Sequence, residues 1–529
     1  MNRAEVRRRQ AGMISNGLML AAMLILGQQT GNNGITYLMT AALAYALLWT
    51  IVGGNLSDTL GRLLRSRKNK GQYKNAWKMR RSAMILQSAL GLAGSAGLFV
   101  FSKSIAEGLF GLRCSTFIVA VLSPAVFLRA VSSVLMGCFQ GEGSELPTAA
   151  AGILRPIFFF GFGILFSGIM GDYGEKVGRL LQQENFEAMY KGAGIAIAVS
   201  LAELLVVLFL ALIYRAGEMR KNGRQEGYGT ESGFECVRHL CAGRWQQAVT
   251  GFLGVLPLGL GLFFLSRRTE EEAALTLGYG AYAGGYLVLC AAVASLIAVS
   301  ALPVMAKIFS SLRKSEHRFA RTVFQGGMHI CLVHSAFAAV FVAVMGQQIG
   351  ELLCPESVEA VLPMLRAGSC VIAFAVLAYY FARFLQTAGK KQLVMLAVGA
   401  GDALFFVVVL ATGKAGALSL VYGGITGTFL LCIMLGVFAC GQLRVRIDWM
   451  RAVAVPAGAA LVSGLLCMLI GKLIAPHMHA SVTLLVAFVI GGAAYWAALT
   501  VLRNFDDQEL DVIPGGKLID GLRQMLHIY

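Results

Sequence analysis

The chain has 529 residues, of which 57% are hydrophobic and only 14% charged, with a formal net charge of +17. This excludes a water-soluble enzyme built round one core, because the apolar residues fall in stretches of about 20, the length that crosses a bilayer core of roughly 30 Å as helix. The excess of Lys and Arg is spread over many connecting segments instead of forming one basic patch with interleaved aromatics, which argues against a nucleic-acid partner.

In chain order, the hydropathy pattern predicts about fourteen transmembrane helices, at residues 11–29, 34–57, 82–102, 115–138, 147–170, 192–214, 246–265, 279–305, 322–345, 358–380, 392–411, 418–441, 452–474 and 481–502. The first stretch lacks a small-x-small cleavage pattern at Gly27-Gln-Gln-Thr-Gly31 and is predicted to be a span, not a signal peptide. Cations stay on the cytoplasmic side during insertion, so a correct span count should divide the loops into basic and non-basic sets. It does: with the N-terminus inside, the basic set holds Arg7 to Arg9 and the segments 62–81, 215–244, 307–321, 383–391 and 444–451. Only scattered cations such as Lys103, Arg113, Lys176 and Lys414 fall in the other set. The chain therefore reads as a multi-pass membrane protein with both termini cytoplasmic.

An internal repeat appears at a spacing of about 245 residues. Lys70-Gly-Gln-Tyr-Lys-Asn-Ala76 leads into the third span as Lys314-Ser-Glu-His-Arg-Phe-Ala320 leads into the ninth. Met136-Gly-Cys-Phe-Gln-Gly141 ends the fourth span as Ala382-Arg-Phe-Leu-Gln-Thr387 ends the tenth. A register of six spans is even, so both copies enter the membrane with the same polarity, and two parallel six-helix lobes round a central cavity are expected. The predicted division is an N-lobe at 1–215, a mobile cytoplasmic linker at 216–245, a C-lobe at 246–441, an appended helix pair at 442–502 and a cytoplasmic tail at 503–529. Within the tail, Leu518, Leu522 and Met525 to Leu526 suggest a short amphipathic helix.

At several of these places the chain resembles the multidrug, oligosaccharidyl-lipid and polysaccharide exporter superfamily, in particular its stage V sporulation protein B-like polysaccharide-biosynthesis branch. The resemblance rests on Leu122-Ser-Pro-Ala-Val-Phe127, Phe139-Gln-Gly141, Pro147-Thr-Ala149, Gly71-Gln-Tyr-Lys-Asn-Ala76, Ile105-Ala-Glu-Gly-Leu-Phe-Gly111 and the ending Glu509-Leu-Asp-Val-Ile-Pro-Gly-Gly-Lys517. Met136-Gly137 stands where the branch often has Arg-Gly, and the first span lacks the cavity arginines of peptidoglycan-precursor flippases. The resemblance implies an all-helical exporter that is no enzyme, a flippase carrying a lipid-linked oligosaccharide or peptidoglycan precursor, typically on a polyprenyl pyrophosphate, by alternating access. Its partners would be membrane lipids, the lipid-linked saccharide and the enzymes of envelope synthesis. A Na⁺- or H⁺-coupled multidrug exporter and a non-transporting scaffold for envelope or spore-coat synthesis are the alternatives.

Charge inside an apolar span costs about 2.5 to 3.5 kcal/mol on insertion scales, so the few such residues mark partners or wet cavities. Arg129, Arg155 and Arg366 are the candidate ligands for a pyrophosphate headgroup, because guanidinium offers fixed, forked donors that stay protonated. Glu203 and Asp402 are the candidates for coupling to Na⁺ or H⁺ or for gating, and the repeat offset sets Arg155 beside Asp402 as a conceivable latch between lobes. The plainer reading pairs the arginines with these two acids as structural ion pairs. No cofactor or metal is expected: Cys236 to Cys241 lacks a Cys-x-x-Cys pair, His329 and His334 do not share a helix face, and the Gly-rich runs lack a Walker ending.

Overall fold

The computed structural model describes residues 3–183, 185–219, 231–269, 271–445 and 447–505, with positions 510 and 521. Among these the regular structure is entirely helical. Among the described residues thirteen helices are long and apolar enough to cross a membrane, and the pair Pro355–Gly368 and Val371–Thr387, bent by 53°, brings the number to 14 if it is one span. Large apolar side chains such as Leu165, Ile169, Leu461, Leu465, Leu485 and Phe488 lie more than two-fifths exposed on these helices, which suits a face turned to lipid. The amphipathic helix predicted at 518–526 lies outside the described residues, apart from position 521.

The chain contacts group into two compact units, one of residues 21–280 and one of residues 1–20 with 281–529. In the first unit the order is the end of α1 (Arg3–Gln28), α2 (Gly31–Gly53), α3 (Leu56–Asn69), α4 (Tyr73–Val100), α5 (Ser115–Leu122), α6 (Pro124–Gly141), α7 (Leu146–Leu181), α8 (Asn185–Met219), α9 (Gly233–Arg268) and α10 (Glu272–Tyr279). The second unit continues with α11 (Val288–Ala298), α12 (Ala301–Arg313), α13 (His317–Val344), α14 (Gly346–Leu353), α15 (Val358–Gly368), α16 (Val371–Thr387), α17 (Lys391–Ala411), α18 (Leu418–Leu443), α19 (Val455–Ile474) and α20 (Ala480–Val501).

The repeat read from the sequence is visible in the backbone. The helices α4 and α13 are both 28 residues long. Each follows a turn with a left-handed residue, Gly71 in one and Ser315 in the other. The fourth span of each copy is broken, at Ser123 between α5 and α6 and at Ser369–Cys370 between α15 and α16. Gly143 and Gly389, both with φ of 82°, then turn the chain into α7 and α17. Each of these pairs lies about 245 residues apart.

One feature departs from the sequence reading. Residues 233–245, expected within the mobile linker, are the first turns of α9: Ser232 caps the helix by accepting from the Glu235 amide while Glu235 reaches back to the Ser232 amide. Such a capping box satisfies two otherwise orphaned donors and fixes a helix start. The helix then packs on α2, α3 and α4, burying Cys236 and Leu240 with Leu56, Leu60, Leu64, Met79 and Val134. The basic run 62–81 is partly neutralised within the unit: Arg65 pairs with Glu145 at 3.1 Å, Arg67 with Glu231 at 2.7 Å, and Arg80 and Lys68 with Glu142 at 3.0 and 3.6 Å. These pairs tie α3 and α4 to the turn after α6 and to the start of α9.

Candidate functional site

Within the first unit Arg129, Arg155 and Glu203 gather charge among the apolar spans. Arg129 rises from α6 six residues past the Ser123 break, and Arg155 stands on α7 directly before Pro156. A proline inside a helix removes one amide donor, so the hydrogen-bond ladder of α7 lacks one rung beside Arg155. Glu203 projects from the middle of α8 and is 1% exposed.

The three side chains meet. Arg129 Nη1 donates to Glu203 Oε1 at 3.0 Å, Arg155 Nε lies 2.7 Å from the same oxygen, and Arg155 Nη2 donates to Glu203 Oε2 at 3.2 Å. The Ser132 hydroxyl, one turn on from Arg129, approaches Oε2 at 3.5 Å. The Arg129 guanidinium also lies over the Trp49 ring of α2, 5.2 Å from its centroid, and Tyr45, one turn earlier on α2, adjoins all three charges. The indole face adds a favourable cation–π contact and holds the guanidinium plane in one orientation.

Two guanidiniums share one carboxylate, so the cluster carries a net charge of +1 in a segment that crosses the membrane. Glu203 is closed off and Arg155 is nearly so, whereas the Arg129 side chain keeps 27% of its surface exposed. The arrangement offers a fixed, partly accessible cation to an oxyanion. It also engages Glu203 with Arg129 and Arg155, whereas Asp402, the second acid of the expected pairs, meets no arginine among the described residues.

The other two candidates do not join this cluster. Arg366 is exposed on the last turn of α15, directly before the bend into α16, and makes no ion pair among the described residues. Asp402 sits on α17 beside Gly401, half-buried, with Oδ2 enclosed and without a hydrogen-bond partner among the described residues. His329 approaches Asn504 at 2.9 Å while His334 Nδ1 meets the Ile330 carbonyl, so the two imidazoles have separate partners. Sequence reasoning missed Tyr45, Trp49 and Ser132; only the i, i+4 spacing of Tyr45 and Trp49 could have paired them on one face.

Comparison with known proteins bears on the fold. No family model matches the chain. Stage V sporulation protein B of Bacillus subtilis (strain 168) is 20% identical over 520 residues, covering 95% of this chain and 96% of that protein. Among solved structures, the lipid II flippase MurJ in an inward closed conformation superposes with a TM-score of 0.64 at 12% identity, covering 94% of this chain and 98% of that one. An inward-facing multidrug resistance MATE family transporter of the MOP superfamily superposes with a TM-score of 0.59 at 15% identity over 84% of this chain and 98% of that one.

Proposed function

We propose that this chain, which has the fold of the multidrug, oligosaccharidyl-lipid and polysaccharide exporter superfamily, is a flippase that carries a polyprenyl-pyrophosphate-linked saccharide across a bacterial cytoplasmic membrane. The observation that carries this reading is the net positive cluster of Arg129, Arg155 and Glu203 inside the membrane-spanning part of the first unit. A pyrophosphate headgroup leaving water loses hydration energy that only fixed counter-charge can replace, and Arg129 presents such charge with its geometry set by Glu203 and Trp49. The near-complete overlap with MurJ, itself named a lipid II flippase, supports a lipid-linked cargo over a small soluble one. Transport is binding, reorientation and release, with no covalent step.

The test is leaflet exchange of a labelled polyprenyl-pyrophosphate sugar in vesicles containing the purified chain. The parent should exchange the lipid well above protein-free vesicles, and Arg129→Gln should slow exchange about tenfold, the loss of one charge-assisted contact. Exchange by the parent at the rate of protein-free vesicles sinks the reading.

A second reading is favoured by one observation. The enclosed, unbonded Oδ2 of Asp402 is a suitable ligand atom for Na⁺ or a proton, as in a cation-coupled exporter. A drug substrate would then be expelled in a Na⁺- or H⁺-dependent way that Asp402→Asn abolishes and Arg129→Gln leaves intact.

A further inference from the structure

Outside the central cluster and the ion-paired Arg67 and Glu145, one more buried charge stands among the described residues. Arg244 on α9 is only 7% exposed. Its Nη1 donates to the Val52 carbonyl at 3.2 Å and to Gln87 Oε1 at 3.1 Å. Gln87, fully buried on α4, donates in turn through Nε2 to the same Val52 carbonyl at 2.8 Å. Both partners are neutral, and no carboxylate among the described residues pairs with this guanidinium. Val52 lies in the last turn of α2, just before Gly54 and Asn55 turn left-handed and end the helix. Its carbonyl and the negative end of the α2 dipole supply about half a charge, which leaves the cation incompletely compensated.

The geometry of the contacts says which edge is in use. Val52 and Gln87 both hold Nη1, so the ring of contacts fixes the guanidinium plane while Nε and Nη2 make no hydrogen bond among the described residues. Those two nitrogens form the fork that grips two oxygens of a phosphate or carboxylate. Polar groups continue beside it: Gln247, one turn along α9, accepts from Asn55 Nδ2 at 2.8 Å. Gly243, Ala248 and Gly251 meanwhile pack close on Thr59, Gly54 and Thr50, holding α9 against the junction of α2 and α3.

The two cationic places share one helix. Trp49 carries Arg129 and Val52 anchors Arg244, so one turn of α2, about 4.5 Å of rise, separates their attachments. Arg244 is also the twelfth residue of a 36-residue helix whose apolar stretch begins only after it. It therefore belongs to the end of the unit that carries the basic segments, at the rim of the apolar layer.

We propose that Arg244 is a second oxyanion station, which takes a phosphate of the headgroup at the rim before or while Arg129 takes it inside. This rests on the flippase reading for its cargo, and the shared chemistry, a pyrophosphate oxyanion, is also presented by free inorganic pyrophosphate. A helix-capping arginine with no ligand is the competing account.

Gln87→Glu separates the two. It sets a carboxylate against Arg244 in the space of the amide, neutralising the station at unchanged side-chain volume, and it gives up the Gln87 Nε2 donation to the Val52 carbonyl. The full chain in phosphatidylcholine nanodiscs, which bring no competing lipid anion, is titrated with a polyprenyl-pyrophosphate sugar and with inorganic pyrophosphate. The expected result is an affinity for the lipid-linked ligand lowered about tenfold or more in Gln87→Glu and Arg244→Gln, with Arg244→Lys between them and the parent, and each variant folded with the parent's helical content. Affinity within twofold of the parent in both folded variants overturns the station and leaves a helix cap. A loss confined to inorganic pyrophosphate overturns it as well, since the site would then serve a soluble anion. Should the parent bind the lipid with this dependence yet move none between leaflets, the flippase reading fails and the station stands. Should every variant bind and flip like the parent, the station fails and the flippase stands.

Discussion

Glu203 answers two guanidiniums at once, so the three charges of the cluster are not equivalent. Removing Arg155 leaves Arg129 and Glu203 as a neutral pair, whereas Glu203→Gln leaves two like charges enclosed together with nothing to offset them. Stripping one partner from a buried ion pair destabilises by about 3 to 5 kcal/mol. Thermal unfolding in detergent should therefore rank the parent and Arg155→Gln close together and Glu203→Gln far below; equal unfolding temperatures for the two variants would contradict the shared-carboxylate geometry. Arg129, Arg155 and Glu203 were legible in the sequence because a charge in an apolar span stands out against its solvent. Trp49 and Tyr45 were not, since an aromatic in a span has the same pattern whether it packs on lipid, on a neighbour or under a guanidinium. Arg244 escaped for the opposite reason: it falls in a basic connecting segment, where orientation alone accounts for cations, and only the capping box and the packing of α9 reveal that it is buried.

Helix pairs in a membrane are held by close van der Waals contact more than by hydrophobic burial, so small residues decide where two elements meet. In the hairpin of α17 and α18 the approach is reciprocal: a Cβ on Gly401 would stand 2.9 Å from the Gly427 carbonyl, and one on Gly427 would stand 2.8 Å from the Gly401 carbonyl. Both obstacles are backbone and cannot swing aside. Gly427→Val should separate the helices at a cost of about 1 to 3 kcal/mol and move Asp402, the neighbour of Gly401. Gly424→Val is the control, because nothing lies within 4 Å of its Cβ. A lower unfolding temperature for the first variant alone is expected, and equal effects of both would contradict the contact. At this scale the spans could be placed from hydropathy, but the interruptions at Ser123 and at Ser369–Cys370 could not. Apolar residues flank both breaks, and hydropathy is blind to backbone direction.

Over the whole chain, parity ties the two copies to one orientation. Six spans per copy is an even number, so equivalent positions of the two copies must lie on the same side of the membrane, and a single miscounted span would put them on opposite sides. Lys74 and Arg318 occupy equivalent places at the starts of α4 and α13, and both are exposed. Cys241, an exposed free thiol on α9, belongs to the same basic set of segments. In variants with a single cysteine at position 74, 241 or 318, all three should react with a membrane-impermeant maleimide in inside-out vesicles and resist it in right-side-out vesicles. The broken fourth span makes this informative: had α15 and α16 been a re-entrant loop instead of one bent crossing, the chain from α17 onward would reverse. A cysteine replacing the exposed Lys390, after α16, extends the series across that bend. Reaction from the same face as position 318 fixes α13 and the bent pair as two crossings. Reaction from the opposite face removes the bent pair from the span count, and with it the cytoplasmic placement of the C-terminal segments.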